Sequence, residues 1–298
     1  MGISGTQIAM NACSIMLLDD NFASIVQAIR WGRNVLEVIR KFLQFQLSVN
    51  IAAIVITFLG SIIEGESPLS AVQLLWINLI MDSFGAIGLA SDEPDDGILL
   101  KPPQSRKSKI ITKHMIQYMA AMAPYQVIMC MFVLLKGYEF VGVTKYVGDD
   151  QTLQKENVRL IHTLVFTTFV LMQVFNEITT RQLDHEFNFL RGIHKNPWFG
   201  IMLAIIVVIQ AIAVQFGSAF VQTIPLDGKQ WAGCIILAAC IVPYMMIARV
   251  FFRAYNRWDK QRAEVLPAVI KAGAAPMKEV VVDQKRAPMV NNLVSEAR

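Results

Sequence analysis

Six apolar runs dominate the chain, at approximately 42–63, 71–90, 115–135, 161–178, 198–216 and 231–252. Each approaches or exceeds the roughly 20 helical residues that cross a hydrocarbon core, and each is bounded by charge, Pro or Gly. The pattern predicts an all-α membrane protein with six transmembrane helices over 42–252. Upstream, Phe22, Ile25, Val26, Ile29, Val35, Leu36 and Ile39 recur at helical spacing. A helix over 23–41 is therefore expected to run straight into the first span. Residues 1–20 alternate small, polar and apolar types and end in Ile15, Met16, Leu17, Leu18, Asp19 and Asp20, which reads as a strand and a turn. Beyond Arg253 the apolar period fades, so 253–298 reads as a cytoplasmic tail, largely disordered.

Composition agrees with this pattern. Hydrophobic residues make up 54% and charged residues 17% of the 298 positions, a balance that a water-soluble domain of this size does not keep. If the N-terminus is cytoplasmic, the inside segments 1–41, 91–113, 180–197 and 249–298 hold 22 of the 27 Lys and Arg residues. That asymmetry is what the positive-inside rule requires, with both termini on the cytoplasmic side. The net charge of +4 thus reflects orientation, and no basic stripe interleaved with aromatics suggests nucleic acid. The four cysteines read as unpaired thiols. Segment 91–113 is expected to be an exposed cytoplasmic connection.

Polar residues within the spans carry the functional signal, because an ionisable group in lipid is costly and usually faces a cavity or another helix. In the first span Gln46, Asn50, Thr57 and Ser61 share a helical face. In the second, Asn78 and Asp82 lie one turn apart and are followed by Gly85 and Gly88, which allow the backbone to unwind or to be approached closely. Asp82 is the only carboxylate central to a span. Such a helix offers side-chain and freed carbonyl oxygens to a hard cation, and oxygen donors suit calcium rather than a soft metal. A structural hydrogen bond between helices is the competing reading. Gln173, Asn176 and Glu177 form a second patch for which helix packing is the stronger reading, with Glu177 close enough to the cytoplasmic end to reach water. Pro124 is expected to kink the third span. Calcium takes about 6 to 8 oxygens, so the donors in these spans form an incomplete site.

Other chemistry is not supported. Segment 60–66 superficially resembles the start of a phosphate loop, but Glu66 stands where the lysine belongs. The four histidines lack metal-ligand spacing, and no nucleophile triad is present.

The stretch MGISGTQIAMNACSIMLLDDNFASI resembles the end of the phosphorylation domain of P-type cation-transporting ATPases. WGRNVLEVIRKFLQFQLSVN resembles their stalk and fifth membrane helix, LLWINLIMDSFGAIGLASDEP the sixth, and FTTFVLMQVFNEITTRQ the eighth. Over residues 1–255 the resemblance is to the plasma-membrane, calmodulin-regulated calcium ATPases. It implies that 1–22 is the end of the phosphorylation domain, 23–41 a stalk helix, and the six spans membrane helices five to ten of a pump working through an aspartyl phosphate. Asn50, Asn78 and Asp82 are then calcium ligands, and Gln46, Gln173, Asn176 and Glu177 candidates for the transport path or for helix packing. Where two-site relatives place further ligands this chain has Ala53, Met81 and Gln173, which implies a single calcium site, with protons as the expected counter-ion.

The resemblance also implies what lies elsewhere. No DKTG or TGDG motif occurs, so no catalytic residue is expected in this chain, and ATP and Mg2+ are bound outside it, on the remainder of the pump. Met1-Gly2 matches an internal Met-Gly of the family, as expected of a C-terminal portion. Arg249, Phe252, Arg253, Arg257 and Trp258 form a basic and aromatic segment suited to calmodulin or to the membrane surface. The expected location is the lipid bilayer of a plasma membrane or a vacuole-like calcium store. The alternatives are a non-catalytic six-span protein or regulator of an intact pump, and a secondary cation transporter using Asp82.

Overall fold

The computed structural model describes residues 2–92, 94, 96–100, 102–103, 109–143, 151–181, 196–217 and 220–273. It forms two compact units, Met1–Arg249 and Val250–Arg298. Six helices are long and apolar enough to cross a membrane, and no strand occurs among the described residues. The strand expected within 1–20 is replaced by a short helix, α1 (Gln7–Ala12), capped by Thr6. A single strand has no neighbour here with which to build a ladder. The segment is held instead by Asp20, whose carboxylate accepts the Ser4 amide at 2.8 Å and the Ser4 hydroxyl at 2.7 Å.

Helix α2 (Phe22–Glu64) is one continuous helix of 43 residues. At 1.5 Å per residue it is about 65 Å long, roughly twice the hydrocarbon thickness, so it holds one span and a long N-terminal extension at the position expected for the stalk. Asn21 caps its start by accepting the Ala23 amide at 3.0 Å, and Gly65, at φ 80°, ends it in the left-handed conformation that glycine tolerates.

The second span is broken. Helix α3 (Ala71–Ile80) starts at a Ser70/Gln73 capping box, passes into a π turn at Met81–Gly85, and resumes as α4 (Ala86–Ala90). Helix α5 (Lys113–Val141) continues through Pro124, α6 runs Gln151–Thr180 and α7 Pro197–Phe216. The last span is α8 (Gly228–Ala239) followed by α9 (Ile241–Gly273). Their break at Cys240 follows from Pro243, which has no N–H to give the Ala239 carbonyl. Helix α9 thus extends through residue 273 of a segment whose apolar period had faded, while 274–298 lies outside the described residues.

Helix α6 is the axis of the bundle. It is 72% buried over its apolar window, against 22% to 44% for the other spans. It packs on α5, α7 and α8, while α2 packs chiefly on α5. On the remaining faces large apolar residues stay uncovered, among them Ile54, Phe58, Ile62 and Leu75, as expected for surfaces that meet lipid or further protein.

Candidate cation site

Two of the expected ligands, Asn78 and Asp82, stand just before and within the break. The π turn places the Asp82 backbone where the hydrogen-bond register widens; its side chain lies outside those described. Asn78, one turn earlier on α3, is exposed, and Asn50 on α2 is half-buried. Among the described residues no hydrogen bond joins Asn78 to Asn50. Ala53 and Met81, at positions implied to lack ligand oxygens, are buried at 8% and 1% exposure. Among the described residues, no group of three or more His, Cys, Asp or Glu is placed to hold a metal.

The α5–α6 patch is sealed by contrast. Tyr118 donates its hydroxyl to Asn176 Oδ1 at 2.8 Å and lies 2.7 Å from Thr179 Oγ1 and 3.0 Å from Thr180 Oγ1. Asn176 Nδ2 donates to Gln173 Oε1 at 3.1 Å, and Gln126 Nε2 reaches the same oxygen at 3.2 Å. Gln173 and Asn176 therefore join α5 to α6. Gln126 and Tyr118 went unnoticed in sequence, although a glutamine inside an apolar run is itself a signal of a buried partner.

Glu177 does not reach water. It is fully buried, and neither carboxylate oxygen has a hydrogen-bond partner. Its carboxyl lies against the glycines after the π turn, with Oε1 3.0 Å from where a Cβ on Gly88 would stand. Phe199 of α7 packs on the same glycine. Tertiary packing overrides the near-terminal sequence position.

Segment 91–113 also departs from expectation, because its first part is buried rather than exposed. Asp92, only 9% exposed, pairs with Arg181 at the end of α6, accepts Asn196 Nδ2 at 3.1 Å and lies 3.5 Å from Lys41 Nζ. Arg181 also lies over the Phe199 ring at 4.3 Å. Stalk residues bind the backbone of this loop: Arg30 donates to the Pro94 carbonyl at 2.9 Å, Arg33 to Ile98 at 2.9 Å, and Asn34 to Asp92 at 3.0 Å. The stalk is thereby fastened to the loop that leaves the broken span. Sequence reading missed the cluster because its members are scattered from residue 30 to residue 196.

Glu64 at the end of α2 meets His162 of α6 at 3.1 Å. Arg249 is another departure: it is 7% exposed and donates Nη2 to the Thr179 carbonyl near the α6 C-terminus, a favourable place for a cation. Phe252 and Arg253 are half-buried, and Arg257 and Trp258 exposed.

The family model described as "Cation transporting ATPase, C-terminus" matches residues 66–251. "Calcium-transporting ATPase 12, plasma membrane-type" of Arabidopsis thaliana is 42% identical over 243 residues, 82% of this chain and 22% of that protein. "Plasma membrane calcium-transporting ATPase 3" of Homo sapiens is 41% identical over 237 residues, 80% of this chain and 19% of that protein. "Plasma membrane calcium-transporting ATPase mca-1" of Caenorhabditis elegans is 38% identical over 270 residues, 90% of this chain and 21% of that protein. The chain spans about a fifth of the length of these curated relatives.

Proposed function

Because the chain belongs to the cation-transporting ATPases, and corresponds to the C-terminal membrane portion of plasma-membrane calcium-type members, we propose that it is the transport half of an ATP-driven calcium exporter. The observation that carries this reading is the π turn at Met81–Gly85, which opens a membrane helix at its one central carboxylate position. A π turn shifts the backbone hydrogen-bond register at this position, and Asn78, Asp82 and Asn50 supply the hard oxygen donors calcium prefers.

The half-site is completed by oxygens on the remainder of the pump, where ATP and Mg2+ also act through an aspartyl phosphate. Ala53 and Met81 offer no oxygen and Gln173 is committed to Gln126 and Asn176, which favours one calcium per cycle, with protons as counter-ion. Residues 1–22 end the phosphorylation domain, and α2 carries its movement into the membrane. The Arg30, Arg33 and Asn34 bonds to loop 92–98 couple that movement to the helix bearing Asp82. Both termini are cytoplasmic, in a plasma membrane or vacuole-like store, and the exposed Arg257 and Trp258 are accessible to calmodulin.

The test is Asp82→Asn in the complete pump that carries this segment. Calcium-dependent phosphorylation by ATP is expected to disappear while phosphorylation by inorganic phosphate without calcium persists. Near-normal calcium-dependent phosphorylation would refute the assignment.

A further inference from the structure

Glu177 has no structural explanation in the bundle. Its carboxyl is fully buried with both oxygens unpartnered, whereas adjacent Asn176 is bonded through its side-chain amide and carbonyl. The nearest cation on its own helix, Arg181, gives Nε and Nη2 to Asp92 instead. No other cation lies within ion-pair distance of Glu177 among the described residues. An acid held this way among membrane helices is expensive and marks an ion pathway.

What it faces is the broken span. A Cβ on Gly85 would lie 3.6 Å from both Glu177 oxygens and one on Gly88 3.0 Å from Oε1, so these glycines leave the carboxylate its room. Gly85 also ends the π turn that contains Asp82. Two unpartnered carboxylate oxygens thus stand beside the π turn that carries Asp82, and such oxygens are donors for a hard cation.

We propose that Glu177 is a second binding position for the transported divalent cation, on the side of Asp82 nearer loop 91–99. This rests on the transport reading above. The cation visits Glu177 as it exchanges between that side of the membrane and the Asn78/Asp82 half-site.

The experiment measures the calcium dependence of phosphorylation by ATP in the complete pump, with inorganic-phosphate phosphorylation reporting the fold. Glu177→Gln keeps shape and removes charge. It is expected to raise the calcium needed for half-maximal phosphorylation at least tenfold with phosphate phosphorylation retained, while Glu177→Asp shifts it less. A Glu177→Gln response within twofold of the parent, as for an acid that is always protonated, overturns the proposal. If Glu177→Gln does not fold, Glu177→Asp decides: a shift above threefold supports the proposal and an unchanged response overturns it. Asp82→Asn separates the two readings. If it abolishes the calcium response while Glu177→Gln leaves it intact, only the Glu177 position fails; if Asp82→Asn is itself silent, the transport reading fails.

Discussion

The polar residues of the second span and those between α5 and α6 look alike in sequence and behave oppositely in the structure. Asn78 is exposed on a broken helix and Asn50 of α2 is half-buried, whereas Gln126, Gln173, Asn176 and Tyr118 bond to one another out of contact with lipid and water. Membrane helices use interhelical hydrogen bonds as glue, and the second group is accounted for that way. Asn78 and Asn50 show no such bond among the described residues. Glu177 belongs to the sealed region by position and to the open one by chemistry.

The sharpest way to break this comparison is Asn78→Ala in the complete pump. Calcium-dependent phosphorylation is expected to fall at least a hundredfold in calcium sensitivity, with thermal stability changed by less than about 0.5 kcal/mol, as for exposed sites. A stability loss with intact calcium response would reverse the roles of the two regions. Arg181→Met should act the other way. It removes the closer of the two cationic partners of Asp92, in a site where the two side chains are 8% and 11% exposed, and leaves Lys41 at 3.5 Å, so the cost is expected at or below the roughly 3–5 kcal/mol of breaking a buried pair outright. A lowered inactivation temperature of the detergent-solubilised pump would register it.

Tyr118→Phe removes one hydroxyl from the sealed network. The Asn176 carbonyl then lacks that donor, at about 1–2 kcal/mol, with calcium sensitivity unchanged; a calcium shift would show that the network belongs to the path. The smallest effect concerns the N-terminal segment, remote from both regions. The Ser4 hydroxyl, the largest influence, together with neighbouring amides holds the Asp20 carboxyl below the usual aspartate range, against the opposing effect of desolvation. Its contribution is complete at neutral pH and is lost as pH falls through that depressed value. Exchange of the Ser4 amide should therefore lose protection only below the ordinary carboxylate range, and Asp20→Asn should remove this pH dependence.

How much was legible follows from the range of each signal. The six spans are runs of consecutive residues, and the stalk is a local period, so both can be read from short windows. The Asn78/Asp82 spacing with Gly85 and Gly88 is likewise contained in one helix. The Asp92–Arg181–Asn196 cluster is not: Asp92 sits in a run of acidic residues that reads as a solvated loop, and only packing brings it to α6 and α7. Glu177 and Arg249 were misread as surface residues for the same reason, since distance from a span end in sequence says nothing about which helices cover that end.

By itself the sequence determined the number and placement of the membrane helices, the identity of the polar residues inside them and the glycines beside Asp82. Hydropathy and helical periodicity act within about 20 residues and need no partner. Tertiary structure alone decided which of those polar residues are satisfied. Hydrogen bonds between α5 and α6, the pinning of the loop to the stalk and the packing of Glu177 on Gly85 join residues from 47 to 92 positions apart, and a buried polar group is defined by partners that no local pattern names.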